Sequence, residues 1–199
     1  MALDGPYGHL EKREEPNYLG SSIVVAADLV LERQTPEDLE AAWAILASRT
    51  DELIQKKTGQ YVAPYPPLDL YANRTQLGQN WLVRRTNDSN RKIMGIVSII
   101  PNGGTDDCAK VPFPTKYFWI SSLFVGPSWK NRGLGRAILD RVKLEARQNS
   151  VASIWLDCYL DSGFLEEYYV RNGLQTIETQ RFTYGSRSFN AALMSCLLE

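Results

Sequence analysis

The sequence predicts an α+β fold, with a central mixed sheet covered by helices. Three observations carry this. Strand-like and helix-like segments follow one another along the chain. Two strand-like runs in the middle are joined by a short polar turn, the mark of a hairpin. Two more such runs close the chain around Tyr184-Gly185-Ser186-Arg187. Hairpins mixed with intervening helices call for a sheet with both kinds of strand pairing.

Residues 1 to about 20 are rich in Gly, Pro, Glu and Tyr and lack periodicity, so residues 1–21 read as a flexible leader or surface arm. Residues 22–199 read as one domain. Ser22 to Glu32 (SIVVAADLVLE) reads as a strand. Thr35-Pro36-Glu37-Asp38 opens a helix: a capping hydroxyl, a proline at the first position, and acids at the positive end. Leu39, Ala42, Trp43, Leu46, Leu53 and Ile54 continue it at helical spacing, and Gly59 is its expected stop. Residues 60–80 hold three prolines and three tyrosines and read as irregular, either a binding loop or a stiff connector.

Trp81 to Arg85 and Lys92 to Ile100 read as strands around the turn Asn87-Asp88-Ser89-Asn90. Residues 101–116 form a loop rich in Pro and Gly, and Tyr117 to Val125 is the next strand. Gly133 to Gln148 reads as a helix with Leu134, Ile138, Val142 and Ala146 on one stripe. Ser153 to Leu160 reads as a buried strand. Ser162 to Asn172 reads as a helix stopped by Gly173, and residues 175–184 and 188–198 as the last two strands.

Composition narrows the function. A chain of 199 residues buries roughly 70% of the surface its unfolded form exposes, so it needs no staple. Formal net charge is −1, which argues against nucleic acid as a partner. Cys108, Cys158 and Cys196 are odd in number and widely spaced; they read as reduced thiols of a cytoplasmic chain. The only histidine is His9, so neither a zinc site nor a histidine triad is expected. No run approaches the roughly 20 apolar residues of a membrane span, and no secretory signal is seen. Asn73-Arg74-Thr75 and Asn87-Asp88-Ser89 match the glycosylation pattern but read as chance in such a chain.

The stretch SLFVGPSWKNRGLGRAIL, residues 122–139, carries the chemistry. It lacks the Gly-Lys-Ser/Thr end of a Walker loop. Ile138 occupies the last position of a dinucleotide fingerprint, where Gly or Ala is needed. What remains is a strand, then Gly126-Pro127, then Lys130-Asn131-Arg132-Gly133-Leu134-Gly135, then a helix start. Free N–H groups and the helix dipole, with Lys130, Arg132 and Arg136 nearby, make an anion site suited to a pyrophosphate.

This stretch resembles the loop of the GNAT superfamily of acyl-CoA-dependent N-acetyltransferases, Gln/Arg-x-x-Gly-x-Gly/Ala after a Leu-x-Val strand. Leu123-Phe124-Val125 matches the strand, and Lys130 stands where Gln or Arg is usual. Downstream, Tyr168-Tyr169-Val170-Arg171-Asn172-Gly173-Leu174 resembles the family's Phe-Tyr-x-x-x-Gly-Phe. The resemblance runs from about residue 22 to the end of the chain.

It implies an α/β/α layered fold whose mostly antiparallel sheet has splayed middle strands. Pantetheine would pair with backbone on Leu123, Phe124 and Val125, and pyrophosphate would sit on Lys130, Asn131, Arg132, Gly133, Leu134, Gly135 and Arg136. Tyr169 would be the catalytic acid, and Ser162 would cap its helix and touch the cofactor. Acetyl-CoA is the implied co-substrate, without a metal, and a small amine or amino-acid derivative the implied acceptor. Homodimer formation is left open, and no membrane is involved.

A strand glutamate often serves this family as base; Ser121 and Ser122 stand there, leaving Asp157, Glu166 and Glu167 to relay a proton. Tyr61, Tyr65, Tyr71, Tyr184 and Arg187 are the expected acceptor walls, and the loop Asp106-Asp107 could add charge. Alternatives are a protein or peptide N-acetyltransferase and a CoA-binding module without catalysis.

Overall fold

The computed structural model describes residues 26–61, 66–104, 111–161, 163–184 and 187–198. The elements are β1 (Leu29–Arg33), α1 (Leu39–Gln55), α2 (Leu68–Gln76), β2 (Asn80–Arg85), β3 (Gly95–Pro101), β4 (Tyr117–Val125), α3 (Leu134–Gln148), β5 (Ser153–Tyr159), α4 (Leu165–Arg171), β6 (Gln175–Tyr184) and β7 (Arg187–Leu197). The seven strands form one sheet in the order β1-β2-β3-β4-β5-β7-β6. Every neighbouring pair is antiparallel except β4 with β5. The α+β class and the mixed sheet are therefore as the sequence predicts.

Strand alternation divides the core between two faces. On one face, Leu134, Ile138 and Val142 of α3 pack on Val97, Ile120 and Ile154. On the other, Ala42 and Leu46 of α1 and Tyr71 of α2 cover Leu82, Ile96 and Phe124. Leu165, Tyr168 and Tyr169 of α4 lie on the α3 side. The layers are thus α1 and α2, the sheet, then α3 and α4.

Several expected boundaries shift. The first strand starts at Leu29, because Ala26–Asp28 is a 3-10 turn. Pro36–Asp38 is also a 3-10 turn; the Asp38 carboxylate accepts from the Thr35 N–H at 3.2 Å and from its hydroxyl at 3.0 Å. Lys57 already turns left-handed after α1, at φ +52°, so the helix stops before Gly59. The strand expected from Lys92 begins at Gly95. The helix expected from Ser162 begins at Leu165; Ser162 itself lies outside the described residues.

The largest correction is α2, inside the segment read as irregular. Three prolines and sparse apolar spacing hid it. A buried polar network supplies what periodicity did not. Tyr71 Oη donates to Gln34 Oε1 at 2.6 Å, and Gln34 Nε2 donates to Thr75 Oγ1 at 3.0 Å. Asn80 Nδ2 donates to the Tyr71 carbonyl at 2.8 Å and to Thr75 Oγ1 at 3.0 Å, while Ser98 Oγ donates to Asn80 Oδ1 at 2.7 Å. Each bond contributes about 1 kcal/mol net, and more would be lost if one partner were left buried alone. The network fixes α2 on the sheet and so sets where Arg74 points.

No helix among the described residues is long and apolar enough to cross a membrane.

Candidate active site

The sheet opens where β4 meets β5. The two pair only through Tyr117, Phe118 and Trp119 with Ser153, Ile154 and Trp155. β4 continues to Val125 and β5 to Tyr159 without pairing to each other. A wedge therefore separates their C-terminal halves.

A bulge in β4 shapes this wedge. Ile96 faces Phe124 but Ser98 faces Ser121, so β4 carries one extra residue. Ser122 takes up that residue with φ +52°. Beyond the bulge, the Gly126 N–H donates to the Met94 carbonyl at 2.8 Å. By alternation, Val125 and Leu123 turn their N–H and C=O groups away from β3, into the wedge.

β4 then leads into the 3-10 turn Pro127–Trp129 and to Gly133, which precedes α3 at φ +73°. That left-handed geometry needs glycine or a small polar residue; Asn131 also adopts it, at φ +58°. The N–H groups of Leu134, Gly135 and Arg136 fall in the first turn of α3, where no intrahelical acceptor exists. A Cβ on Gly135 would stand 2.5 Å from Tyr168 Oη, so the glycine lets α4 close against the start of α3.

The three basic side chains of the loop are not equivalent. Lys130 is ion-paired with Glu52 of α1, which also binds Arg49 and Lys56. Lys130 and then Lys56 hold the Glu52 carboxyl down at about 2. The Arg132 guanidinium lies 5.7 Å from the centre of the Trp129 ring. Arg136 is exposed and 3.7 Å from Asp140.

Tyr169 and Asp157 lie on opposite faces of the sheet. Tyr169 packs with the α3-side core. Burial raises the pKa of its phenol, and the nearby Cys158, Tyr168, Tyr61 and Asp157 raise it further. Tyr61 belongs to the α1 side, its ring centre 6.3 Å from that of Phe124. Asp157 lies on β5, opposite Leu193 of β7. Burial raises its carboxyl too, opposed by its backbone hydrogen bond and by Arg74. Arg74 Nη1 donates to Ser121 Oγ and Ser122 Oγ, both at 3.3 Å.

The acetyltransferase (GNAT) family pattern matches residues 48–174, which run from within α1 to the end of α4 and include both strands of the wedge. The chain belongs to the GNAT acetyltransferase family. Solved structures agree with that fold. A GNAT-family acetyltransferase from Listeria monocytogenes superposes with a TM-score of 0.67 at 17% identity, over 85% of this chain and 95% of that one. The ribosomal-protein-S18-alanine N-acetyltransferase of Escherichia coli gives 0.59 at 17% identity, over 86% and 94%. The spermidine N-acetyltransferase of Vibrio cholerae, solved with CoA and spermine, gives 0.61 at 15% identity, over 86% and 96%. No curated protein sequence matches this GNAT chain.

In this GNAT chain, Leu123, Phe124, Val125 and the loop from Lys130 to Arg136 lie together at the wedge and the start of α3, as the sequence reading has them. Tyr71 is not an acceptor wall: it is buried, with its hydroxyl tied to Gln34. Tyr65, Asp106 and Asp107 lie outside the described residues, as do the side chains of Tyr184 and Arg187. Glu166 accepts from Thr176 Oγ1 of β6 at 2.7 Å, and Glu167 pairs with Arg171 within α4 at 2.5 Å on its exposed face. Sequence reasoning overlooked Arg74, which appears there only inside a chance Asn-Arg-Thr match. Among the described residues no group of three metal-ligating side chains occurs.

Proposed function

We propose that the protein is an acetyl-CoA-dependent N-acetyltransferase acting on the primary amine of a small molecule or amino-acid derivative, by direct transfer between two bound substrates. The observation that carries the reading is the wedge between β4 and β5, with Tyr169 on the α3 side of the sheet and Asp157 on β5 facing the other side. The residues suit the cofactor. Unpaired backbone on Leu123 and Val125 matches the amide groups of pantetheine. The first turn of α3 offers N–H groups to a pyrophosphate. Acetyl-CoA, when bound, supplies the thioester.

Asp157 takes the proton that an ammonium acceptor must lose, directly or through water. Its raised carboxyl makes it a better base near neutral pH than an ordinary aspartate. A backbone N–H of β4 steadies the developing oxyanion. Tyr169 returns a proton to the departing thiolate; its raised phenol is fully protonated at working pH and costly to leave ionised. Orientation of the two substrates in the wedge supplies much of the rate.

The test is thiol release from acetyl-CoA with pooled small amines, followed by mass spectrometry of the products. Acetylated amine and free CoA in equal amounts support the reading. CoA binding without thiol release, for any amine or peptide, would leave only a binding module.

A further inference from the structure

Among the described residues, Arg74 forms no ion pair. It is half-buried, and α2 is locked on the sheet by the network around Gln34, Thr75 and Asn80. Among the described residues, its guanidinium donates to two neutral serine hydroxyls, each at a long 3.3 Å. Arg84, by contrast, reaches both Glu32 at 3.2 Å and Asp38 at 3.0 Å. Among the described residues, no carboxylate lies within ion-pair distance of Arg74. A guanidinium drawn out of water demands an anion, and its planar fork fits a carboxylate in two-point contact.

Asp157 is the group of opposite sign in the same region. It feels Arg74 electrostatically but does not touch it. Arg74 thus stands by the bulge of β4 and Asp157 across the wedge on β5. Space between two unlike charges is matched by a molecule that carries both. Tyr61, half-buried and packed beside the buried Phe124, adds an aromatic ring on the same side of the sheet.

We infer that the acceptor is an amine bearing its own carboxylate a few bonds away, an amino acid or close analogue, with the carboxylate on Arg74 and the reacting amine toward Asp157. This rests on the acetyltransferase reading and narrows it. Arg74 also repels polycations, so polyamines are excluded as good acceptors. The Tyr61 ring favours an apolar or aromatic side chain.

The experiment compares kcat/KM for acetyl transfer to phenylalanine, phenylalanine amide, phenethylamine and spermidine. It uses the full chain, wild type and Arg74→Gln, with a CoA thermal shift measured on both. The wild type is expected to prefer phenylalanine over its amide and over phenethylamine by about ten- to a hundredfold, the range set by one charged hydrogen-bonded contact. Arg74→Gln is expected to raise KM for phenylalanine and bring the preference near one, with the CoA shift retained. Arg74→Lys should restore part of the preference.

Equal or better use of the amide or of spermidine overturns the inference and leaves acetyl transfer standing. So does a preference that survives in Arg74→Gln, or CoA binding with no amino acid acetylated. Absence of any CoA shift in the wild type overturns the acetyltransferase reading, and the inference falls with it.

Discussion

Gly135→Ala tests how the glycine loop before α3 is built. A methyl on Gly135 would stand 2.5 Å from Tyr168 Oη, while the next ring atom, Cζ, is 3.5 Å away. The first distance is roughly an ångström short of ordinary contact; the second is ordinary contact. Overpacking of this kind costs about 1–3 kcal/mol. For a chain of this size that is a fall in Tm of roughly 2 to 12 °C. Tyr168→Phe removes the offending oxygen and keeps the ring. In that background Gly135→Ala should be neutral, or stabilising by up to about 1 kcal/mol, because alanine is the better helix former. The assay is urea unfolding of the four proteins in a double-mutant cycle. Additive effects, with Gly135→Ala equally costly in both backgrounds, would refute the packing of α4 on the loop.

Three further outcomes are expected. Tyr169→Phe should lower kcat by about 10²- to 10⁴-fold with CoA affinity nearly unchanged, measured by steady-state kinetics and calorimetry. Asp157→Asn should cut turnover by a similar factor yet raise stability at pH 7. Its carboxyl is raised from 3.8 on folding, so its contribution is favourable below that value and is lost as pH rises; the Asn variant should therefore gain least in acid. Glu52→Gln should flatten the acid limb of the stability profile. The Glu52 carboxyl falls from 4.5 to about 2, so its contribution is present above pH 4.5 and lost between those values, and the variant should lose stability chiefly at higher pH.

Strands and helices with strong periodicity were legible from sequence. β4 and β6 begin and end where their patterning places them, and α3 carries the apolar stripe expected of it. The glycine loop was legible because glycine at Gly133 and Gly135 answers backbone and packing demands that few other residues meet. α2 was not, because side chains far apart in sequence hold it: Gln34 is 41 residues from Thr75. The bulge at Ser122 left no glycine to mark it. Arg74 was missed for the same reason, since its role depends on Ser121, Ser122 and Asp157, brought together only by the fold.

The central claim is that the wedge and the first turn of α3 hold CoA. Calorimetric titration with acetyl-CoA tests it most directly, using the wild type and Tyr168→Phe/Gly135→Glu, in which the contact of the new Cβ with the Tyr168 hydroxyl is removed and a negative charge is added to the first turn of α3. The account predicts one CoA bound per wild-type chain, and binding lost in a double variant that still folds. No heat of binding in the wild type, or equal affinity in the variant, would contradict it.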